Sequence, residues 1–200
     1  MTLVKFCGLS RPEDIAAANS CHPDFIGFVF WNKSRRFVTV DEAIELSHGL
    51  DRSIKRVGVF LNASFEEIVG VAKTGCINRI QLHGSENESF VKRIQSRTGM
   101  SVIRAFRIGS AEDVQLAATT EADYIMFDGG TGEGRTFDWS VLENVGRPYF
   151  LAGGLNPENV GEAVSRLHPY AVDVSSGIES NGVKDPEKMR RFMEAVGSAE

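Results

Sequence analysis

The chain has 200 residues, 42% of them hydrophobic, with 20 Gly and 13 Phe, enough to bury one large core and hardly two, which excludes disorder and collagen-like repeats. Lys plus Arg total 22 against 27 Asp plus Glu, and the net charge of -5 repels phosphodiester backbones and argues against a nucleic-acid partner. The three cysteines, Cys7, Cys21 and Cys76, are odd in number and show no CxxC spacing, so neither a disulfide framework nor a metal cage is expected.

The first residues lack the basic start and long apolar run of a signal peptide, and the stretch from Phe25 to Trp31 is too short to span a bilayer. These features predict a soluble, cytoplasmic protein with no membrane partner. Short apolar runs rich in Val, Ile and Phe then recur along the chain: Leu3 to Phe6, Phe25 to Phe30, Lys55 to Phe60, Arg79 to His83, Ser101 to Phe106, Tyr124 to Asp128, Tyr149 to Ala152 and Ala171 to Ser175. Their starts lie roughly 20 to 30 residues apart, room for one strand, one loop and one helix of about three turns. Eight β-α units are predicted.

Helix starts support that count. In an S-x-x-E capping box a hydroxyl and a carboxylate satisfy free backbone N–H groups, and Ser10 to Glu13, Ser64 to Glu67 and Ser85 to Glu88 fit the pattern. Asn156-Pro157-Glu158 offers an N-cap followed by a proline at the first helical position, and the last helix is expected near Asp185-Pro186. No linker or composition shift divides residues 1–200, so a single compact domain is expected. Alternating units point to an α/β fold, a (β/α)8 barrel of minimal length, with a doubly wound open sheet as the alternative.

Residues two apart on a strand share a face. Val4 and Phe6, Ile80 and Leu82, Ile125 and Phe127, and Val172 and Val174 are apolar and suit contact with helices. Lys5 and Cys7, Gln81 and His83, Met126 and Asp128, and Asp173 and Ser175 then point into one lumen. Closure makes the first and eighth strands neighbours, which predicts an ion pair between Lys5 and Asp173.

Barrel enzymes carry catalytic groups at the carboxyl ends of their strands, where Cys7, His83, Asp128 and Ser175 fall. A thiol with a lowered pKa is a general base and a carboxyl with a raised one a general acid, so Cys7 and Asp128 are a candidate pair. The plainer readings are a buried apolar thiol for Cys7, a turn residue for Asp128 and a hydrogen-bonded lumen residue for His83. Gly153-Gly154 after the seventh strand and Asp173-Val174-Ser175-Ser176-Gly177 after the eighth are candidates for a phosphate site, since backbone N–H groups and hydroxyls hold a dianion. Gly129 to Thr136 imitates a nucleotide P-loop, with Arg135 replacing the lysine, but reads better as a flap over the barrel mouth. Asn32 to Phe37 carries three cations at the rim, one of which, as an arginine, suits a two-point carboxylate contact.

Taken together, Lys5-Phe6-Cys7-Gly8, Gly27-Phe28-Val29-Phe30 with Ser34-Arg35-Arg36, Val57-Gly58-Val59-Phe60, Gln81-Leu82-His83-Gly84, Thr136-Phe137-Asp138-Trp139, Gly153-Gly154-Leu155 and Asp173-Val174-Ser175-Ser176-Gly177 resemble the phosphoribosylanthranilate isomerase family in order, over nearly the whole chain. That resemblance implies a (β/α)8 barrel catalysing an Amadori rearrangement in tryptophan biosynthesis, with no cofactor and no metal, as a monomer or homodimer. It implies Asp128 as general acid, Cys7 as general base, Arg36 at the anthranilate carboxylate and His83, Gly153, Gly154, Asp173, Ser175, Ser176 and Gly177 among the substrate contacts. Leu9-Ser10 departs from the Ile-Thr often found there. A related barrel such as indoleglycerol-phosphate synthase would call for a catalytic lysine, and a histidine-pathway isomerase for paired aspartates. A non-catalytic or differently specific phosphosugar-binding barrel is the alternative function.

Overall fold

The computed structural model describes residues 1–129, 138–142 and 145–199. Eight parallel strands close on themselves in chain order. They are β1 (Leu3–Cys7), β2 (Phe25–Val29), β3 (Lys55–Phe60), β4 (Arg79–Leu82), β5 (Val102–Arg107), β6 (Tyr124–Asp128), β7 (Tyr149–Ala152) and β8 (Ala171–Val174). Each lies within one residue of its expected ends, and the closed sheet excludes the doubly wound alternative.

Among the described residues seven α-helices surround the strands: α1 (Pro12–Cys21), α2 (Val40–His48), α3 (Phe65–Thr74), α4 (Glu88–Thr98), α5 (Ala111–Ala118), α6 (Val160–Leu167) and α7 (Pro186–Gly197). The expected run of eight β-α units is corrected at the sixth, where the described residues between β6 and β7 form a 3-10 turn, Trp139–Leu142, and no α-helix. Asp138 opens that turn by accepting a bond from Ser140 N at 2.9 Å. The glycine-rich stretch from 130 to 136 lies outside the described residues, and with it the expected flap.

The cap at Ser64 forms as expected, with its hydroxyl accepting from Glu67 N and Glu67 accepting from Ser64 N at 2.8 Å. Two others are corrected. Pro12 starts α1, and the Asp14 carboxylate accepts from Ser10 N and Arg11 N, so Asp14 replaces Glu13 in closing that helix end. Asn87 caps α4 by accepting from Phe90 N at 2.9 Å, while the Ser85 hydroxyl is drawn to Asn62. Asn156 caps a preliminary turn through Glu158 N and Asn159 N, and α6 begins only at Val160. Asp185 caps α7 as expected.

Strand alternation sorts the apolar side chains into two groups. Val4, Phe6, Ile80, Leu82, Ile125, Phe127, Val172 and Val174 join the layer between sheet and helices. Phe25, Val57, Ile103, Met126 and Phe150 belong to the group inside the barrel. Phe150 packs against Phe25 at 5.5 Å, Tyr124 at 5.8 Å and Tyr170 at 5.6 Å between ring centres, and Tyr124 stacks on Tyr170 at 5.1 Å. Tyr124, Phe150 and Phe25 sit at or near the amino ends of β6, β7 and β2, so these rings fill the floor.

Pairing of β1 with β8 sets Lys5 opposite Asp173. The expected ion pair forms, with Nζ donating to Oδ1 at 2.7 Å; the Lys5 side chain is fully buried and that of Asp173 is 10% exposed. Removing one member of such a pair strands the other charge. Lys5→Met is expected to cost about 3–5 kcal/mol of stability in urea denaturation, and adding Asp173→Leu to it should restore a large part of that loss. Strictly additive losses in the double variant would contradict the pairing.

Candidate active site

The carboxyl ends of the strands surround a cavity of about 580 Å³. Cys7, Arg36, His83, Asp128, Gly153, Gly154, Asp173, Ser175 and Ser176 all line it. Of the expected site residues, Gly177 is set behind this wall. A Cβ there would fall 1.9 Å from Leu155 O, so this position holds the β7 and β8 loops in backbone contact that any larger residue would break. The two loops therefore form one continuous wall, in which Gly154 and Ser176 face the cavity.

Cys7 is 8% exposed. Burial pushes its thiol up, and the Lys5 ammonium on the same strand face opposes that push without cancelling it. The close approach needs Gly27 on the neighbouring β2, where a Cβ would lie 3.0 Å from Cys7 Sγ and 3.2 Å from Lys5 Nζ. Burial alone would drive Lys5 down, but Asp173 and Cys7 hold its ammonium above the ordinary lysine range. Lys5 thus places a fixed positive charge below the thiol.

Across the lumen Asp128 keeps a side chain 23% exposed and accepts from His83 Nε2 at 3.1 Å. Gln81 Nε2 donates to His83 Nδ1 at 3.0 Å, which leaves the ring proton on Nε2. Gln81 also donates to Met126 Sδ at 3.3 Å and is buried. Strand alternation predicts that Gln81 points inward, but not that it fixes the tautomer of the histidine touching the candidate acid.

Four residues absent from the sequence-based site complete the picture. Arg107 at the end of β5 lines the cavity. Beyond β8, a short hairpin of β9 (Glu179–Ser180) and β10 (Val183–Lys184) brings in Glu179 and Lys184. Its turn is Asn181-Gly182, with φ of 53° and 82°, the backbone that an Asn-Gly pair favours in tight hairpins, and this dipeptide was the sequence signal for it. Glu179 accepts from Arg36 Nε at 2.6 Å and Nη2 at 3.0 Å, from Arg35 Nη2 at 2.6 Å and from Lys184 Nζ at 2.8 Å. Burial pushes its carboxyl up, but the Arg36 and Lys184 bonds outweigh that and hold it below the ordinary range. The fourth is Lys5, read from the sequence as a structural ion and found beside the thiol.

Two more groups named in the sequence are, like Arg36 and His83, already engaged within the protein. Asp173 is held by Lys5, and the Ser175 hydroxyl donates to Cys7 O at 2.9 Å. Among the described residues no group of three or more His, Cys, Asp and Glu is arranged to hold a metal ion. No described helix is long and apolar enough to cross a membrane.

A thiol and a carboxyl on separate strands of one cavity, a guanidinium at its rim and a glycine and serine wall suit proton transfer on an anionic ligand. The family model for N-(5'phosphoribosyl)anthranilate (PRA) isomerase matches residues 4–195. The N-(5'-phosphoribosyl)anthranilate isomerase of Endomicrobium trichonymphae is 41% identical over 194 residues, covering 94% of this chain and 95% of the relative. That of Streptococcus mutans is 43% identical over 199 residues, covering 98% and 99%. The crystal structure of the Thermotoga maritima phosphoribosyl anthranilate isomerase superposes with a TM-score of 0.91 at 36% identity over 99% of this chain and 100% of that one. A barrel that agrees in fold with a solved isomerase, and in sequence with isomerases over almost its full length, leaves one assignment: this chain belongs to the N-(5'-phosphoribosyl)anthranilate isomerase family.

Proposed function

We propose that this cavity isomerises N-(5'-phosphoribosyl)anthranilate to 1-(2-carboxyphenylamino)-1-deoxyribulose 5-phosphate in tryptophan biosynthesis, with Asp128 as general acid and Cys7 as general base. The observation that carries the assignment of roles is that these two groups open onto the same cavity from β6 and β1. A solved relative was crystallised with reduced 1-(o-carboxyphenylamino)-1-deoxyribulose 5-phosphate, at 36% identity and a TM-score of 0.89, which supports a ligand with the same two anionic ends here.

The reaction needs one proton given and one taken. Asp128 protonates the ribose ring oxygen, the bond from that oxygen to C1 breaks, and the nitrogen lone pair forms an iminium with C1. The cationic iminium acidifies the hydrogen on C2, and the Cys7 thiolate removes it, moving the C–H pair into a C1–C2 double bond and returning the nitrogen to a neutral amine. The resulting enolamine gains a proton at C1 and loses one from O2 to give the ketone. Lys5 opposes the burial that pushes the Cys7 thiol up, without overcoming it, and the His83 Nε2–H bond fixes the Asp128 carboxyl.

Arg36 holds the ring carboxylate through two N–H contacts, and Gly154, Ser176 and adjacent backbone N–H groups hold the phosphate. His83, Gly153, Asp173, Ser175 and Gly177 shape and support these contacts. Strands from both ends of residues 1–200 close the same barrel, which supports a single domain. With that goes a cytoplasmic monomer or homodimer, the setting of a small-molecule biosynthetic enzyme. A barrel that merely binds a phosphosugar would have no use for an acid and a base on one cavity.

Cys7→Ala and Asp128→Asn are each expected to lower turnover by ~10²-fold or more in a steady-state fluorescence assay, while calorimetry still detects binding of the reduced product. Near-native turnover in both variants would remove the assigned roles. Arg36→Ala should weaken the carboxylated ligand more than ribose 5-phosphate, and equal losses for the two would take the carboxylate away from Arg36.

A further inference from the structure

The mouth of the barrel contains one carboxylate that faces cations instead of ligand. Glu179 is 8% exposed and is surrounded by Arg35, Arg36 and Lys184. Its contact with Arg36 is side-on, through Nε and Nη2. That geometry occupies one edge of the planar guanidinium and leaves Nη1 with no partner among the described residues, while the side chain remains 22% exposed on the cavity wall.

The second arm runs the other way. Lys184 Nζ, bonded to Glu179, also donates to Ser175 O at 2.9 Å and reaches Ser175 Oγ at 3.3 Å. Ser175 immediately precedes Ser176 in the loop assigned to phosphate, and its hydroxyl reaches back to Cys7 O. One buried carboxylate is thus bonded directly to the residue assigned to the ligand's ring and, through one ammonium, to the loop assigned to its phosphate.

We propose that Glu179 is a positioning residue that fixes the reach between the ring-carboxylate clamp and the phosphate cradle, so that a ligand with an anion at each end is gripped at both. The inference rests on the assignment of Arg36 to the ring carboxylate. A guanidinium on a free side chain samples many rotamers, whereas one held on two N–H groups presents its remaining edge at a single distance from the β8 loop. A ligand joining both anions gains from that fixed distance, because binding its second end becomes intramolecular, while a single anion does not.

Calorimetric titration of Glu179→Gln with two probes, the reduced product and inorganic phosphate, tests this. The reduced product should lose ~10-fold or more in affinity beyond any loss for phosphate, and KM for substrate should rise more than kcat falls. Lys184→Met should show the same pattern, and the double variant should lose less than the product of the two single losses, as expected of one connected unit. Unchanged affinity for the reduced product, or equal losses for both probes, would overturn the proposal. If Glu179→Gln does not fold in a circular-dichroism melt, Glu179→Asp, one methylene too short to hold both Arg36 and Lys184, is read by the same two probes. If the wild-type chain does not turn over the substrate but the calorimetric pattern holds, the assigned reaction fails and the positioning role stands; an active wild type with an unaffected Glu179→Gln overturns the positioning role and leaves the reaction standing.

Discussion

A lysine ammonium fully out of water beneath a thiol is the constraint around which this barrel is arranged. Lys5 is tolerated there only because β1 and β8 pair in a register that puts Asp173 2.7 Å from its Nζ. That pairing of the first strand with the last exists only because the sheet closes. The same ammonium faces Cys7 across the gap left by Gly27. Fold and chemistry therefore share one charge, so that a change weakening the closure also alters the environment of the thiol.

The rim follows a different logic from the lumen. Inside the barrel, polar groups are held by strand neighbours: Gln81 orients His83, which holds Asp128. At the rim they are held by loops, with Glu179 of the small hairpin clasping two arginines of the β2 loop. Loop geometry is easily perturbed, and the density of charge-assisted bonds at Glu179 compensates for the missing sheet. At Gly177 the β8 loop instead meets the β7 loop at Leu155 through close backbone contact.

Much of this could be read from the residues in order, for physical reasons. Strand positions were legible because a two-residue alternation is local, and the Lys5–Asp173 pair followed from alternation plus closure. Cys7, His83 and Asp128 were legible because the strand ends of a barrel converge. The helix start at Ser10 misled because Pro12 fixes the first turn and the Asp14 carboxylate, one residue later than expected, reaches both free N–H groups. Between β6 and β7 the described residues form a 3-10 turn where a helix was expected, because the count of strands by itself says nothing of what joins them. Glu179 and Lys184 were hidden for a longer-range reason: Arg36 meets Glu179 across 143 positions of sequence, and nothing near either residue announces the other. Only the Asn181-Gly182 turn marked that a hairpin stood there at all.

The four aromatic rings at the amino end of the barrel carry a consequence for traffic. Phe25, Tyr124, Phe150 and Tyr170 pack edge to face or in stacks with centres 5.1 to 5.8 Å apart, which leaves no lane along the axis for a molecule the size of a sugar phosphate. Whatever is converted above them departs by the doorway through which it arrived. Arrival and departure therefore take turns, and a lingering product blocks its own successor.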